Sequence, residues 1–438
     1  MKKIIAALLI VFSVQLAAQE KLLNAGPMVG YSQMREVALW VQTTASAKVQ
    51  INYWNKKDKS KIFKTNAVVT KKHSAFTAHL IADKCEPGLK YEYKLFINDK
   101  LVKRPYPLEF QSQDLWQFHH DPRNFTFAFG SGAYVNQKQY DRPKPYGGDY
   151  EVYTSIYKKH PDFMLWGGDN IYLREADYYS RTGILARYTY HQALPELQPL
   201  FGSIHNYAIW DDHDYGPDNS DRSFINKDLT LEAFKLFWAN PSYGVMDKPG
   251  TTTFFKWNDV DFFLLDDRYY RSPDNRENTR KVEFGEDQIE WLMDALSFSK
   301  APFKIIVTGG QILNPLPEWE TYSMFPEEKN ELLTKIKAEG ITGVVFLTGD
   351  RHFTEISKLK RHGTYPLYDF TISAFTSGAN SWPEEPNFYR IKGTHIFKRN
   401  FAVFSFTGKR KHRVMTCTTY DVHGKKIWDF SLKADELK

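Results

Sequence analysis

The chain has 438 residues, of which 42% are hydrophobic and 25% are charged. This length is ample for one large hydrophobic core or for two domains. The formal net charge of +6 is only mildly basic, and such a balance does not predict nucleic-acid binding. Only two cysteines occur, Cys85 and Cys417. They are compatible with a single disulfide or with two separate buried thiols.

The first 19 residues are typical of a secretory signal peptide. Lys2 and Lys3 form a basic head, an apolar stretch follows from Ile4 to Val14, and small residues lead to Gln19. The apolar stretch is too short to cross a bilayer, although a short N-terminal anchor is the alternative. No later segment is long and apolar enough to span a membrane, so the sequence predicts a secreted or periplasmic protein.

The region from residue 20 to about residue 120 is predicted to form a small β-sandwich domain. Three segments alternate apolar and polar residues, and Pro87-Gly88 and Asn98-Asp99 are turn signals between strands. Short strands of this kind with turns between them favour an immunoglobulin- or fibronectin-like sandwich. The alternating segments are Val37–Thr43, Lys48–Trp54 and Lys90–Asp99.

From residue 121 to residue 438 the pattern changes to a predicted α/β domain. Apolar runs of four to six residues alternate with helical stretches, such as the one that places Ile289, Leu292, Met293 and Leu296 on one face. Strands buried on both faces with helices between them predict a layered α/β fold. Glycine or a polar or charged residue follows nearly every apolar run. The motifs that close these runs end at Ser131, Asp169, Asp214, Arg268, Gln311 and His352.

These strand ends predict a single ligand site, because ligands of α/β sheets bind where the carboxyl ends of strands converge. Several carboxylates and imidazoles with no thiolate nearby favour a hard-to-borderline metal site, with one ion or more. Metal ions would offset the repulsion among the five aspartates of the tract Asp211–Asp221 and would activate water for attack on phosphorus.

Each candidate also has a structural alternative. Asp169 could be a capping or turn aspartate, and Asp350 with His352 could form a salt-bridged loop. The tract Asp211–Asp221 could be a solvated acidic loop, but its spacing does not fit a helix-loop-helix calcium site. The apolar run before this tract favours a position at the ligand edge of the sheet.

Several of these segments resemble PhoD-like alkaline phosphatases, which belong to the calcineurin-like metallophosphoesterase superfamily. The resemblance covers residues 125 to 380, with the preceding sandwich as the usual N-terminal domain of the family, and it implies a four-layer αββα metallophosphoesterase sandwich. The matching segments read FAFGSGAYVN, DFMLWGGDNIYLRE, YAIWDDHDYGPDNSD, FFLLDDRYYR, VVFLTGDRHFTEI and TISAFTSG.

The resemblance also implies roles for individual residues. Asp169 is expected to bridge metals, and Tyr172 to be the phenolate ligand of a ferric ion. His213 is expected to act in catalysis by donating to the transition state or the leaving oxygen. The remaining expected metal ligands are Asp212, Asp350 and His352. The implied ions are Ca²⁺ with Fe³⁺, and Zn²⁺ or Mn²⁺ are alternatives.

Seven further residues have weaker assignments. Arg268 is expected to contact a phosphate oxygen of the substrate, since a guanidinium fits phosphate with two hydrogen bonds; its alternative is a salt bridge with Asp266 or Asp267. Gln311 or Asn314 could complete the metal shell. Asp211 and Asp214 are expected to orient the ligands, whereas Asp218 and Asp221 shape the following loop and cap its helix.

One position departs from the family pattern. The family has a cysteine after the serine of the first motif, as a metal thiolate, whereas this chain has Gly132 after Ser131. Three explanations compete: an altered metal site, loss of activity, or a neighbouring residue that supplies the ligand. Because thiolate is the soft ligand suited to iron, the change bears on Fe³⁺ more than on Ca²⁺.

The favoured function is therefore a secreted metal-dependent phosphoesterase acting on phosphomonoesters, phosphodiesters or both. The alternative is a catalytically impaired relative that binds phosphate or glycans, and a third hypothesis is an adhesion protein that binds through the sandwich. The expected partner is a phosphate-ester substrate, with no stable nucleic-acid partner and no obligate protein partner.

Overall fold

The computed structural model describes residues 21–380, 382–383 and 385–438. The predicted signal peptide, residues 1–19, therefore lies outside the described residues. Within the described residues, no helix is both long enough and apolar enough to cross a bilayer. The chain divides into two compact units, the first comprising residues up to 115 with 189–206 and 236–239, the second comprising the remainder.

The first unit is built from short antiparallel strands. Its two sheets have the orders β1-β2-β6 and β4-β3-β7-β8, with β5 on β3 and β9 on β7. The strands are β1 (Leu23–Ser32), β2 (Val37–Thr43), β3 (Lys48–Asn55), β4 (Asp58–Lys64), β5 (Val68–Val69), β6 (Thr77–Ala82), β7 (Lys90–Ile97), β8 (Lys100–Val102) and β9 (Glu109–Gln111).

One apolar core lies between these two sheets. Leu39 of β2 and Leu80 of β6 are fully buried in the same cluster as Ile51 of β3 and Leu95 of β7. The predicted strands at residues 37–43, 48–54 and 90–99 are confirmed, with β7 ending at the turn Asn98-Asp99, where both φ angles are positive. Burial alternates along β3 and β7, as expected for a sheet with one apolar face, whereas every residue of β2 is buried.

The second unit contains two larger sheets. One runs β21-β20-β19-β10-β11-β12 and the other β13-β14-β15-β16-β18-β17. The strands are β10 (Phe125–Gly130), β11 (Phe163–Gly167), β12 (His205–Ile209, whose first two residues group with the first unit), β13 (Thr253–Trp257), β14 (Val260–Leu264), β15 (Phe303–Val307), β16 (Val344–Thr348), β17 (Glu355–Leu359), β18 (Leu367–Thr371), β19 (Asn400–Thr407), β20 (Val414–Asp421) and β21 (Lys426–Lys433).

Seven α-helices are described. They are α1 (Glu151–Lys158), α2 (Arg181–Gln192), α3 (Gln198–Ser203), α4 (Asp212–Tyr215), α5 (Lys227–Phe237), α6 (Glu286–Phe298) and α7 (Pro326–Ala338). The predicted apolar face of α6 is confirmed, because Ile289, Leu292, Met293 and Leu296 are all buried. Short 3₁₀ helices occupy Lys72–Ser74, Pro195–Leu197, Tyr322–Met324 and Ala434–Leu437.

The two sheets of the second unit face each other across an aromatic core. Phe127 of β10 contacts Phe262 of β14 edge-on, with 5.4 Å between ring centroids, and Phe404 of β19 contacts Phe370 of β18 at 5.6 Å. Phe163 of β11 also meets Phe262 at 5.4 Å. Such edge-to-face pairs add to the stabilisation that aromatic burial provides.

Parallel pairing brings the loop ends of several strands to one side. Strands β14, β15, β16 and β18 are mutually parallel in order, and β10 is parallel to β11. The ends of the two sheets are joined where Phe375 N donates to Ser131 O at 2.8 Å. The fold is thus a mixed α/β fold in which the predicted polar residues follow neighbouring strand ends.

Candidate metal centre

Three predicted ligands converge after β11 and β16. The Tyr172 hydroxyl donates to Asp169 Oδ2 at 2.8 Å and lies 2.9 Å from His352 Nε2. His352 Nε2 is in turn 3.7 Å from Asp169 Oδ2. A carboxylate, a phenol and an imidazole therefore present their ligand atoms to one point, as the sequence predicts for these residues.

Local backbone geometry aims these side chains. Asp169, Asp350 and His352 all have positive φ angles, between 53° and 58°. This left-handed conformation is strained for residues other than glycine and is common at functional sites. Because the chain turns back immediately after each strand, the side chains point to the loop side of the sheet rather than into the core.

A second group of carboxylates lies beside the first. Ligand atoms of Asp169, Asp212 and His213 lie within 4.8 Å of one another, and so do those of Asp211, Asp212 and Asp350. Asp212 Oδ2 accepts from Asn219 N at 2.7 Å. The structure thus brings all six predicted metal and catalytic residues into one neighbourhood.

The acidic tract is held in place by its own aspartates. Asp211 and Asp214 form a capping box at the start of α4, and Asp214 also accepts from the backbone N–H groups of Asn170 and Ile171 at 3.1 and 3.2 Å. These bonds tie the segment carrying Asp212 to the segment carrying Asp169. The geometry agrees with an orienting position for Asp211 and Asp214.

Burial and like charges control protonation in this centre. Burial raises the pKa of Asp212 to about 7, with His213 opposing the rise and Glu320 adding to it. Burial likewise raises the pKa of Asp350 well above its ordinary value, and Glu320 and Asp212 contribute. Because these carboxylates disfavour each other's ionised forms, a bound cation would stabilise the fully ionised cluster.

His213 and Tyr172 respond to the same charges. Burial lowers the pKa of His213, but the carboxylates of Asp212 and Asp169 outweigh it and raise the pKa overall. The His213 and Tyr172 rings pack with 4.2 Å between centroids. Burial, followed by the Asp169 charge, raises the pKa of Tyr172 well above its ordinary value, so a phenolate at this position requires a nearby cation.

The donor set fits metal binding. Asp169 Oδ1 and Asp211 Oδ2 are buried oxygens without a hydrogen-bond partner within the part of the chain that the structure describes. Buried carboxylate oxygens of this kind need a compensating group. Carboxylates, imidazoles and a phenol suit hard-to-borderline cations.

Arg268 lies elsewhere than predicted. Its guanidinium is completely buried, Nε donates to Asp211 Oδ1 at 2.7 Å, and Nη1 donates to Glu320 Oε1 at 2.5 Å. It does not line the cavity, so the predicted contact with substrate phosphate is replaced by a buried ion-pair network. The anticipated structural partner Asp267 is 3.7 Å away, but Asp211 and Glu320 are the main partners.

Gln311 and Asn314 are also placed outside the cavity lining. Gln311 donates to Glu355 and Thr371, and its Oε1 accepts from Arg351 at 2.9 Å. Asn314 donates to Gln311 and Glu385, at 2.8 Å in each case. The structure therefore corrects their anticipated position in the metal shell to a network that supports Arg351.

Three side chains that sequence reasoning missed belong to this site. The Tyr146 hydroxyl lies 2.7 Å from His352 Nδ1, the position of a partner that orients a histidine ligand. Glu320 lines the cavity and forms an ion pair with the buried Arg268. Ser377 is fully buried, and its Oγ is without a hydrogen-bond partner among the described residues. Tyr146 and Glu320 come from loops with no apolar run directly before them, so no strand-end signal marks them. Ser377 lies in the matching segment TISAFTSG, but no individual role was assigned to it.

Gly132 adopts a conformation that disfavours a side chain. Its φ is +74°, and a Cβ at this position would lie 2.7 Å from Ser377 Oγ and 3.0 Å from Ala374 Cβ. The hydroxyl of Ser377 thus occupies part of the space that a side chain of residue 132 would need. Cys85 and Cys417 are both buried free thiols, which decides between the two alternatives that the sequence left open.

The metal centre opens to solvent through a cavity of about 290 Å³. Its floor is formed by Asp169, Asp212, His213, Asp350 and His352, and its rim includes Trp319 and Trp382. This volume is at the small end of the range for ligand pockets, so the cavity suits a small substrate or one end of a larger substrate.

Known structures and families agree with this architecture. A structure of PhoD aligns over 92% of this chain and 91% of its own chain with a TM-score of 0.74 at 17% identity. Purple acid phosphatase PPD1 from yellow lupin (Lupinus luteus) seeds aligns over 93% of this chain and 74% of its own with a TM-score of 0.69 at 10% identity. The fold is therefore that of purple acid phosphatase-like metallophosphoesterases.

The sequence model of the PhoD-like phosphatases matches residues 127–419, and the chain belongs to that family. Alkaline phosphatase D of Bacillus subtilis (strain 168) is 23% identical over 416 residues, which cover 82% of this chain and 67% of that protein. Residues 20–115 match a separate domain of unknown function (DUF7800).

Proposed function

We propose that this protein is a metal-dependent phosphoesterase that hydrolyses phosphomonoesters, phosphodiesters or both with a metal-activated water molecule. The observation that carries the proposal is the convergence of Asp169, Tyr172 and His352, with Asp212 and Asp350 beside them, at the floor of an open cavity. Membership of the PhoD-like phosphatase family supports the same chemistry.

The bound ions would lower the pKa of a water molecule and offset the negative charge that develops on phosphorus. Asp169, Tyr172 and His352 are the proposed ligands of one ion, and Asp212 and Asp350 hold a second, with Asp169 shared. Ca²⁺ with Fe³⁺ is the proposed pair, and Zn²⁺ or Mn²⁺ are alternatives that the same oxygen and nitrogen donors accept.

His213 is the proposed general acid. Neighbouring carboxylates raise its pKa, which favours the protonated imidazole, and its side chain is 21% exposed at the cavity. A proton held on its ring can be donated to the departing alkoxide oxygen of the ester. Asp218 Oδ1, 3.4 Å from His213 Nε2, keeps the ring oriented toward the cavity.

Ser377 is the proposed replacement for the family thiolate. Its hydroxyl occupies the space beside Gly132 and has no hydrogen-bond partner among the described residues, so it is free to act as a ligand. This is the explanation for Gly132 in which a neighbouring residue supplies the ligand, and it requires no loss of activity. A neutral hydroxyl in place of a thiolate removes a soft, charged donor from the shell, and this change bears on the Fe³⁺ of the proposed pair more than on Ca²⁺.

Arg268 is proposed to position the site rather than to contact substrate. Its guanidinium donates hydrogen bonds to both Asp211 and Glu320. Asp211 caps the helix that carries Asp212, and Glu320 lies at the edge of the cavity. A buried ion pair with both partners retained keeps this geometry, whereas removal of one partner would leave an uncompensated buried charge.

Secretion or transfer to the periplasm is proposed from the N-terminal 19 residues. The proposed domains are an immunoglobulin- or fibronectin-like sandwich at residues 20–120 and a four-layer αββα metallophosphoesterase sandwich at residues 121–438. A phosphate ester is the proposed partner, without a stable nucleic-acid or obligate protein partner.

Two substitutions test the proposal with 4-nitrophenyl phosphate and bis(4-nitrophenyl) phosphate as substrates. Asp169→Asn is expected to reduce both metal content and turnover, because one carboxylate oxygen is lost from the shared ligand. His213→Asn is expected to lower kcat by about 10²- to 10⁴-fold with metal content retained. Elemental analysis and steady-state kinetics measure the two effects separately.

Asp247→Asn is the matched control, because Asp247 is exposed and outside the cavity lining. It is expected to leave both readouts unchanged. If the metal-loaded wild type binds phosphate but turns over neither ester under any ion tested, the non-catalytic phosphate-binding alternative replaces the proposal.

A further inference from the structure

Two tryptophans stand at the rim of the metal-centre cavity. Trp319 is 54% exposed and Trp382 is 40% exposed, and no other of the eleven tryptophans is among the exposed large apolar residues. Their indole rings pack on each other with 4.7 Å between centroids and 37° between planes. Burying large aromatic surface is favourable, so a solvent-facing pair at a cavity mouth requires an explanation.

The backbone holds Trp319 in this exposed position. Trp319 and the following Glu320 both have positive φ angles, 55° and 60°, and this conformation is strained for residues other than glycine. Glu320 is fixed by its ion pair with the buried Arg268. The network that supports the metal centre therefore also orients the indole toward the cavity mouth.

Residues on both sides of Trp382 contact the segment that carries Arg351 and His352. Asn380 N donates to His352 O at 2.8 Å, and Asn380 Nδ2 donates to Arg351 O at 3.1 Å. On the other side of Trp382, Glu385 accepts from Arg351 Nη2 at 2.6 Å. Both indoles are thus anchored through residues that adjoin the proposed metal ligands.

The charge of the cavity limits what the tryptophans can bind. Among the described lining residues the only lysine or arginine is Arg351, and Gln311 and Glu385 already engage its guanidinium. Carboxylates occupy much of the remaining wall, including Asp218 and Asp274 at the outer part. On the tryptophan side of the cavity, additional phosphates would be repelled, because their binding depends on cationic side chains. Further arginines, Arg142 and Arg174, line the adjoining cavity on the other side of His213 and Asp218.

We propose that Trp319 and Trp382 form a rim subsite for a planar aromatic group that is linked to the single phosphate bound at the metal centre. The group is an aryl ring or a nucleobase, and both share the flat π face that stacks on indole. The inference rests on the proposed function and deepens it by naming the class of substrate.

The test uses phosphonates, which bind without being hydrolysed. Isothermal titration of the metal-loaded protein compares phenylphosphonate with methylphosphonate, and the 5′-phosphonate analogue of adenosine monophosphate with that of ribose 5-phosphate. The wild type is expected to prefer the aromatic member of at least one pair. Trp319→Ala and Trp382→Ala are each expected to reduce that preference about tenfold, whereas Trp319→Phe retains most of it.

Phe388→Ala is the matched control, since Phe388 is 85% exposed and is not a lining residue; it is expected to leave the preference unchanged. A response in the phenyl pair assigns an aryl group, and a response only in the adenosine pair assigns a nucleobase. Equal binding of both members of both pairs, or a preference that survives both alanine substitutions, would overturn the inference. An aromatic preference in a protein without turnover would keep the inference and reject the proposed function.

Discussion

At the scale of single residues, Gly132 shows why backbone conformation matters to the metal shell. Its φ of +74° and the 2.7 Å approach of Ser377 Oγ leave little room for a side chain. The local loop is therefore adapted to glycine, and reinstating the family cysteine is not a simple reversal. The serine hydroxyl fills part of the space instead.

Gly132→Cys is expected to destabilise the metal-free protein by about 1–3 kcal/mol, the range typical of a non-glycine residue in a strained backbone conformation. Denaturant unfolding measures the change. Gly132→Ala serves as the control that adds the same Cβ without a thiol, and it should be destabilised to a similar degree. A cysteine variant at least as stable as the wild type would show that the loop readily accommodates the side chain.

The predictable part of the site consists of residues that follow an apolar run. Asp169, Asp212 and Asp350 could be selected because a strand or an acidic tract marks them, although their roles came from the family resemblance. Tyr146 could not be selected, since a loop brings it to the site without any local pattern. Ser377 lies in the matching segment TISAFTSG, but nothing in that segment distinguishes it as a site residue. Because a guanidinium suits phosphate, the sequence predicts that Arg268 contacts substrate. In the structure the buried carboxylate of Asp211 accepts a hydrogen bond from this guanidinium instead.

At the scale of elements, His205 at the start of β12 is a buried link within the first unit. Its Nε2 accepts from Gln111 N–H at 3.1 Å, so Nδ1 carries the proton and donates to Gly30 O at 2.8 Å. The bond from Gln111 requires the neutral ring, because a protonated Nε2 cannot accept a hydrogen bond. Burial lowers the pKa of His205 from 6.5 to about 4.

This shift predicts a pH dependence of stability. Between pH 6.5 and about pH 4 the unfolded state takes up a proton on His205 that the folded state does not, so the free energy of unfolding falls as pH falls through this window. The contribution is at most about 1.4 kcal/mol per pH unit. In unfolding titrations, His205→Gln should have a smaller slope over this window than the wild type; equal slopes would contradict the assignment.

The strands themselves were largely predictable, because their apolar runs are short and bounded by turn residues. Strand β2 has the predicted limits, and β10, β11, β14, β15 and β16 each end within four residues of the predicted polar residue that follows. Pairing was not predictable, since the antiparallel partners β13 and β17 and the β19–β21 meander depend on contacts far apart in sequence. The aromatic core between the sheets depends on the same long-range contacts.

At the scale of the whole molecule, the chain contains two compact units, and every residue proposed for the metal centre belongs to the second. The PhoD-like phosphatase match also lies within residues 127–419. The proposed chemistry is therefore assigned to residues of the second unit. Residues 20–115, which lie in the first unit, match a domain of unknown function.

The central claim is that metal ions bind at the floor of the cavity and serve phosphate-ester hydrolysis. An anomalous-difference map from crystals of metal-loaded protein tests this claim most directly. The predicted result is at least one ion about 2.0–2.6 Å from an Asp169 carboxylate oxygen, with Tyr172, Asp212, Asp350 or His352 in the same shell. The account would be contradicted if this map showed no ion in the cavity and the protein still hydrolysed a phosphate ester after chelation.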